Sequence, residues 1–249
     1  MTQPNMMIIG SQKCGTTWLH QVLNQSKYFH GSEPKELNYW NQPNLSSYKS
    51  YLRKFEDIDE DVKYVYESTP HYFCLPKNEI NIAERIYNKL GDIRLVVLVR
   101  NPIDRYLSAY IHNILAGRFP VTLEVDSLTN NYKMIELGHY SYIYKHFQKY
   151  FSDIKIYFYD DLVHSETNLI SSVFKDFDLK IDLDELILHR KVNDKKDKNK
   201  NLFHKQKFKN NVFPTMTDSL KNNLIELYKP SINELEVITG RDLTHWIDK

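Results

Sequence analysis

The chain has 249 residues, which fits one large domain or two small ones, and its 41% hydrophobic content can fill a core. The charged residues nearly cancel to a formal net charge of +1, so bulk charge points to no nucleic acid and no anionic membrane as partner, and any anion site must arise from local placement. Two cysteines, Cys14 and Cys74, exclude a disulfide framework, and the absence of a membrane-length apolar run or a signal-like N-terminus leads to the expectation of a cytoplasmic protein.

Met6 to Ile9 is a short apolar run ending at Gly10, which predicts a buried strand. Thr16 to Asn24 follows as a helix, with Trp18, Leu19, Val22 and Leu23 at helical spacing. Pro34 to Gln42 reads as a loop, Ser47 to Phe55 as helical, and Lys63 to Glu67 as a second strand. Asn78 to Leu90 is amphipathic and helical, with Gly91 as its stop. Ile93 to Val99 is nearly all apolar and β-branched, the pattern of a central parallel strand buried on both faces. Asn101 and Pro102 then suit the cap and first residue of a helix running to about Leu115. Gly138 to Phe151 predicts a helix, Ile154 to Tyr159 a strand and Asn168 to Phe177 a helix. Lys191 to Lys209 is a basic polar stretch with the composition of a loop, and two helices follow, Asp218 to Tyr228 and Ser231 to Thr239. Strands alternating with helices predict a single α/β domain over residues 1–249, with a central parallel sheet flanked by helices.

Two segments carry chemistry. The first is Gly10-Ser11-Gln12-Lys13-Cys14-Gly15-Thr16-Thr17, between a strand and a helix. Such a loop is a phosphate cradle: its backbone N–H groups converge and the helix N-terminus adds positive potential. The Gly10 to Gly15 spacing matches a Walker A loop, but Thr16 and Thr17 stand where that motif needs Lys and then Ser/Thr, and the lysine has moved inside the loop to Lys13. The central strand ends in Arg100 rather than a metal-holding Asp. No metal site is evident, and Lys13 is placed to neutralise a bridging oxygen directly. The alternative is a structural turn with a solvated lysine, in which Cys14 is a small packing residue.

The second segment runs from Arg100 to Tyr110. Arg100 lies at the carboxyl end of the central strand, where open α/β sheets bind ligands, and Ser108 falls about two turns along the next helix. A guanidinium and a hydroxyl can share one phosphate. The alternative is an ordinary charged helix start. Two separated phosphate sites suit a nucleotide phosphorylated at both ends.

At these residues the chain resembles the sulfotransferases that use PAPS (3'-phosphoadenosine 5'-phosphosulfate), with a P-loop nucleotide-kinase-like fold. The Lys13 loop is similar to their 5'-phosphosulfate loop, and Arg100 to Ser108 to their 3'-phosphate motif. The resemblance implies that Ser11, Gln12, Lys13, Cys14, Gly15, Thr16 and Thr17, with Trp18 as a backbone contact, surround the 5' end of PAPS. It gives Arg100 and Ser108 the 3'-phosphate and places Asn193, Lys198 and Lys200 of the basic stretch near the donor. Lys35-Glu36-Leu37-Asn38-Tyr39-Trp40 resembles the acidic segment of the heparan-sulfate-type branch, and Glu67 to Phe73 its next active-site segment, in a soluble, bacterial-type form. That branch often has a lysine where this chain has Ser68.

The implied reaction is sulfuryl transfer to a hydroxyl or amine, with 3'-phosphoadenosine 5'-phosphate (PAP) as product. Glu36 is the expected base and His71 its rival, since an imidazole titrates near neutrality. Tyr39, Trp40, His71, Tyr72, Phe73, Tyr110 and His112 are candidates for an acceptor pocket around Glu36, with core packing as their alternative. A small-molecule acceptor is expected, and nothing in the sequence specifies an oligomeric state. A P-loop kinase or NTPase, or a non-catalytic nucleotide-binding module, are the competing readings.

Overall fold

The structure is a computed structural model that describes residues 2–180, 183, 186, 188 and 213–248. In chain order its elements are β1 (Met6–Gly10), α1 (Thr16–Leu23), β2 (Phe29–Gly31), α2 (Tyr48–Leu52), β3 (Tyr64–Ser68), α3 (Ile82–Leu90), β4 (Arg94–Val99), α4 (Pro102–Leu115) and β5 (Glu124–Val125). They continue as α5 (Tyr140–Phe147), β6 (Ile154–Phe158), α6 (Tyr159–His164), α7 (Glu166–Asp176), β7 (Thr215–Met216) and α8 (Asp218–Thr239). The chain forms two compact units, Met1–Arg100 with Ile143–Arg190, and Asn101–Tyr142 with Lys191–Lys249.

The first unit holds the expected α/β architecture: a five-stranded sheet in the order β2-β3-β1-β4-β6, with every pair parallel. The apolar runs explain the order. All five residues of β1 are buried, as are Leu95 to Val99 of β4, so these strands take the centre and need cover on both faces. β2 and β6, with partly exposed residues, take the edges. Ile8 pairs with Ser68, the last residue of β3, on one side and with Val96 on the other, so β1 and then β4 run further at the carboxyl edge. α1 buries Trp18, Leu19, Val22 and Leu23, the spacing that predicts it.

In the second unit, Asn101 caps α4 by accepting from the Ile103 N–H, and Pro102 sits in the first turn. Arg105 is fully buried on α4 and donates to the Met134 carbonyl. Ile111 and Ile114 form a small core with Leu107, Tyr110, Leu115, Phe119 and Phe213. β5 and β7 form a separate two-stranded parallel pair.

Several boundaries differ from the sequence expectation. α3 begins at Ile82, not Asn78, because Asn78 and Glu79 take positive φ values of 50° and 64° and Asn81 provides the cap. α5 is shorter than Gly138 to Phe151: Gly138 belongs to a 3-10 turn, and the residues after Phe147 continue as hydrogen-bonded turns that bury Phe151. β6 stops at Phe158, and Tyr159 opens α6, which periodicity did not reveal. α7 starts at Glu166, where the Ser165 side chain accepts from the Asn168 N–H. The two expected C-terminal helices are one, α8, with Pro230 inside it. Tyr228, Ser231, Ile232 and Leu235 are buried on both sides of the proline, so continuous packing outweighs the hydrogen bond it removes. The basic stretch from residue 191 to 209 lies outside the described residues. Among the described residues, no helix is long and apolar enough to cross a membrane.

His20, on the buried side of α1, meets Tyr66 edge-on, with ring centroids 5.4 Å apart. Burial, reinforced by the charge of Lys35, lowers its pKa from 6.5 to about 4. The folded protein therefore binds fewer protons at His20 than the unfolded chain between those values, and stability rises with pH across that window. The gap corresponds to about 3 kcal/mol at most. Urea denaturation between pH 4 and 6.5 should show this slope in the wild type and a flatter one in His20→Gln.

Candidate active site

A parallel sheet delivers every strand's carboxyl end to the same edge, so the loops after β1, β2, β3 and β4 gather there. β1 is the switch point: the chain leaves it for β2 and β3 on one side and reaches β4 on the other. The sequence-predicted groups of the first unit, Lys13, Glu36, His71 and Arg100, sit on these four loops or strand ends.

The loop after β1 is shaped by what cannot fit. A Cβ on Gly10 would lie 2.4 Å from the Phe73 Cβ, so only glycine allows the turn to start here. The Ser11 N–H donates to the Leu98 carbonyl at 2.7 Å, and the Cys14 N–H to the Ser11 carbonyl at 3.2 Å. Lys13 takes the left-handed conformation, φ 69°. Gly15, φ 96°, is the N-cap of α1; no side chain caps the helix and its first turn holds no acid. A Cβ on Gly15 would meet Leu162 at 3.0 Å and Tyr159 at 3.3 Å. The Ser11 hydroxyl is buried and has no hydrogen-bond partner. Thr16 is buried and Thr17 half-buried. Cys14 is buried with its Sγ 3.5 Å from the Gln12 carbonyl, and neither cysteine forms a disulfide. The Trp18 indole donates to the Leu188 carbonyl at 3.2 Å, anchoring the helix that follows.

Positive charge is concentrated here. Burial lowers the Lys13 pKa, and the Arg100 guanidinium lowers it further, while Cys14 and Glu36 act in the opposite direction. Lys13, Arg100 and Glu36 are thus within electrostatic reach of one another. Arg100 lies 4.6 Å from the centre of the Tyr159 ring, the ring that also packs against Gly15.

The loop after β2 carries Glu36. Lys35 Nζ lies 3.2 Å from Glu36 Oε1 and 3.4 Å from the Ser68 carbonyl. Burial lowers the Lys35 pKa against the opposing pull of Glu36. The loop's shape is fixed from beneath by Glu67, which has no exposure to solvent. Glu67 accepts hydroxyl hydrogen bonds from Tyr51 at 2.9 Å, Thr69 at 2.7 Å and Tyr72 at 2.6 Å, and a backbone bond from Leu37. Burial pushes its carboxyl pKa up, and these four bonds pull it back. Two of the hydroxyls also accept from the loop: Thr69 from the Asn38 N–H at 3.3 Å and Tyr72 from the Trp40 N–H at 3.2 Å.

Among the other residues singled out from sequence, Tyr39, Trp40, Tyr72 and Phe73 are buried. Trp40 donates to the Tyr51 hydroxyl at 3.3 Å, and Tyr39 stacks on Tyr51. His71 is exposed, and the Gln12 amide donates to its Nε2 at 3.0 Å, linking the loops after β1 and β3. Ser108, Tyr110 and His112 lie on α4 in the second unit: Ser108 is buried, Tyr110 packs on Phe119, and His112 is exposed. Asn193, Lys198 and Lys200 lie outside the described residues. Three residues at the edge had been given no role from sequence: Lys35, Glu67 and Tyr159. Glu67 had a readable signal, a carboxylate inside a run otherwise patterned as a buried strand. Lys35 and Tyr159 depend on contacts between distant segments.

A lysine-bearing glycine loop between a parallel strand and a helix, with a carboxylate loop beside it, defines an α/β protein with a P-loop-like anion site. The family model described as "Sulfotransferase domain" matches residues 3–234, and the chain belongs to that sulfotransferase family. A membrane-associated sulfotransferase, kil1, of Dictyostelium discoideum is 33% identical over 113 residues, 45% of this chain and 23% of that protein, so the match spans under a quarter of the relative's length. A crystal structure of a sulfotransferase from Alicyclobacillus acidocaldarius superposes with a TM-score of 0.76 over 100% of both chains at 20% identity. The sulfotransferase domain of the curacin biosynthetic pathway superposes with a TM-score of 0.55 at 13% identity, over 97% of this chain and 99% of that one. These likenesses carry the fold.

Removing the Glu67 carboxylate leaves three hydroxyls and an N–H without their acceptor. Glu67→Ala should destabilise the protein by about 3 kcal/mol in urea denaturation, and Glu67→Gln, which keeps a carbonyl acceptor, by about 1 kcal/mol.

Proposed function

We propose that the chain transfers a sulfuryl group from PAPS to a hydroxyl or amine of a small-molecule acceptor, and that Lys13 and Glu36 do the chemistry. The observation that carries this reading is the electrostatics of the loop: a partly buried ammonium, within reach of a guanidinium, in the loop that leads into an uncapped helix N-terminus. Like charges so placed favour a multiply charged anionic ligand that neutralises both. The partnerless Ser11 hydroxyl adds a buried donor that a phosphate or sulfate oxygen would satisfy. The residues therefore fit the 5' end of PAPS, held by the backbone from Ser11 to Thr17 and by Lys13, with Arg100 for the 3'-phosphate.

When bound, PAPS supplies a sulfuryl group on a good leaving phosphate. Glu36 takes the acceptor's proton as its oxygen or nitrogen bonds to sulfur. The sulfur–oxygen bond to the phosphate breaks, and its electron pair stays on the phosphate oxygen. Lys13 stabilises that developing charge, an interaction stronger in the transition state than before it. Glu36 is preferred over His71 because its segment resembles the acidic segment of the heparan-sulfate-type branch and because it, unlike His71, acts electrostatically on Lys13. The loop holding Glu36 is also fixed by the Glu67 bonds.

Steady-state kinetics divide the roles. Lys13→Ala should lower kcat roughly 100-fold or more with a small change in donor KM. Arg100→Ala should raise donor KM at least about tenfold, as expected for a lost charge-assisted phosphate contact. An unchanged donor KM in Arg100→Ala would remove the 3'-phosphate role. Full activity in Glu36→Gln, with loss in His71→Ala, would reassign the base. In calorimetry, PAP should bind equally well with and without EDTA; binding that requires magnesium would favour NTPase-like chemistry.

A further inference from the structure

The edge holds one more partly buried cation, Lys35. Its side chain is 16% exposed, and its ammonium reaches two acceptors, Glu36 Oε1 at 3.2 Å and the Ser68 carbonyl at 3.4 Å. An ion pair between mobile surface groups stabilises little, because both side chains must be ordered to form it. This one is different in construction. Ser68 is the last residue of β3 and pairs with Ile8 of β1, so its carbonyl is a fixed point beside the Lys13 loop. The Lys35 backbone is fixed as well: the Ser32 hydroxyl lies 3.1 Å from both the Pro34 and Lys35 carbonyls. On the far side of Glu36, Leu37 and Asn38 are bonded to Glu67 and Thr69. Glu36 itself is the more exposed member of the pair, its side chain 36% exposed against 16% for Lys35.

We propose that Lys35 is the positioning residue of Glu36: anchored on the Ser68 carbonyl, its ammonium selects one orientation of the carboxylate and holds it at the carboxyl edge of β3, within reach of Lys13. A general base must sit within hydrogen-bond distance of the proton it takes, and small misplacements are costly. Lys35 acts through Glu36. This inference rests on the sulfuryl-transfer reading and on Glu36 as the base.

Lys35→Met keeps the methylenes and removes the charge. Its kcat should fall roughly 10- to 100-fold, while PAP affinity by calorimetry stays within about twofold and the urea midpoint stays close to wild type. Lys35→Ala should regain activity when ethylammonium is added, because the small cation can occupy the vacated place; Glu36→Gln should not respond. Full kcat in Lys35→Met overturns the proposal. So does a PAP affinity that falls in step with kcat, which would make Lys35 a donor-binding residue, or a Lys35→Ala enzyme deaf to ethylammonium. If the wild type binds PAP yet transfers sulfuryl to no acceptor in a broad panel, the reading of the site fails first, and the role of Lys35 falls with it.

Discussion

A carboxylate sealed from water is among the most costly groups a protein can bury, and Glu67 is tolerated only because four donors converge on it. The donors come from four places: α2, the loop after β2, and two positions in the loop after β3. Once Tyr51, Thr69 and Tyr72 face Glu67, two of those hydroxyls have lone pairs left for Asn38 and Trp40. The segment bearing Lys35 and Glu36 is thereby held against the end of β3. Its active groups need no regular secondary structure of their own, because a polar knot beneath supplies the rigidity.

The same edge shows how a nearly neutral chain makes a strong local field. With a net charge of +1 overall, it brings Lys13 and Lys35 within reach of Glu36, and Arg100 within reach of Lys13. Partial burial strengthens each interaction by removing water that would screen it. The pKa values of Lys13 and Lys35 are lowered because their charged forms are held in an environment that does not favour them. In the proposed reading an incoming dianion would relieve that strain, converting unfavourable charge placement in the free protein into binding.

Much of this was legible in the residues. Apolar runs located β1, β3, β4 and β6, and the Asn101-Pro102 pair located the start of α4. The strand–loop–helix turn at Lys13 was readable from glycine spacing, a local signal, whereas the Glu36 segment was singled out only by its resemblance to the family's acidic segment. What was not legible depended on contacts distant in sequence. The three-residue β2 is a strand only because β3 lies beside it. Pro230 reads as a break, yet burial on both sides of it carries α8 through. Trp40, Tyr72 and Phe73 look like pocket aromatics by type. Their burial follows from Glu67 and from the absence of a Cβ at Gly10.

The left-handed backbone at Lys13 has a consequence for how this protein can change. A residue with a Cβ is strained there by about 1 kcal/mol relative to glycine, so stability alone favours losing the lysine side chain. Under the proposed role of Lys13, any search that selects for thermal resistance without assaying transfer will tend to drift towards a tighter fold without the lysine. In this loop, durability and chemistry select opposite residues at a single site.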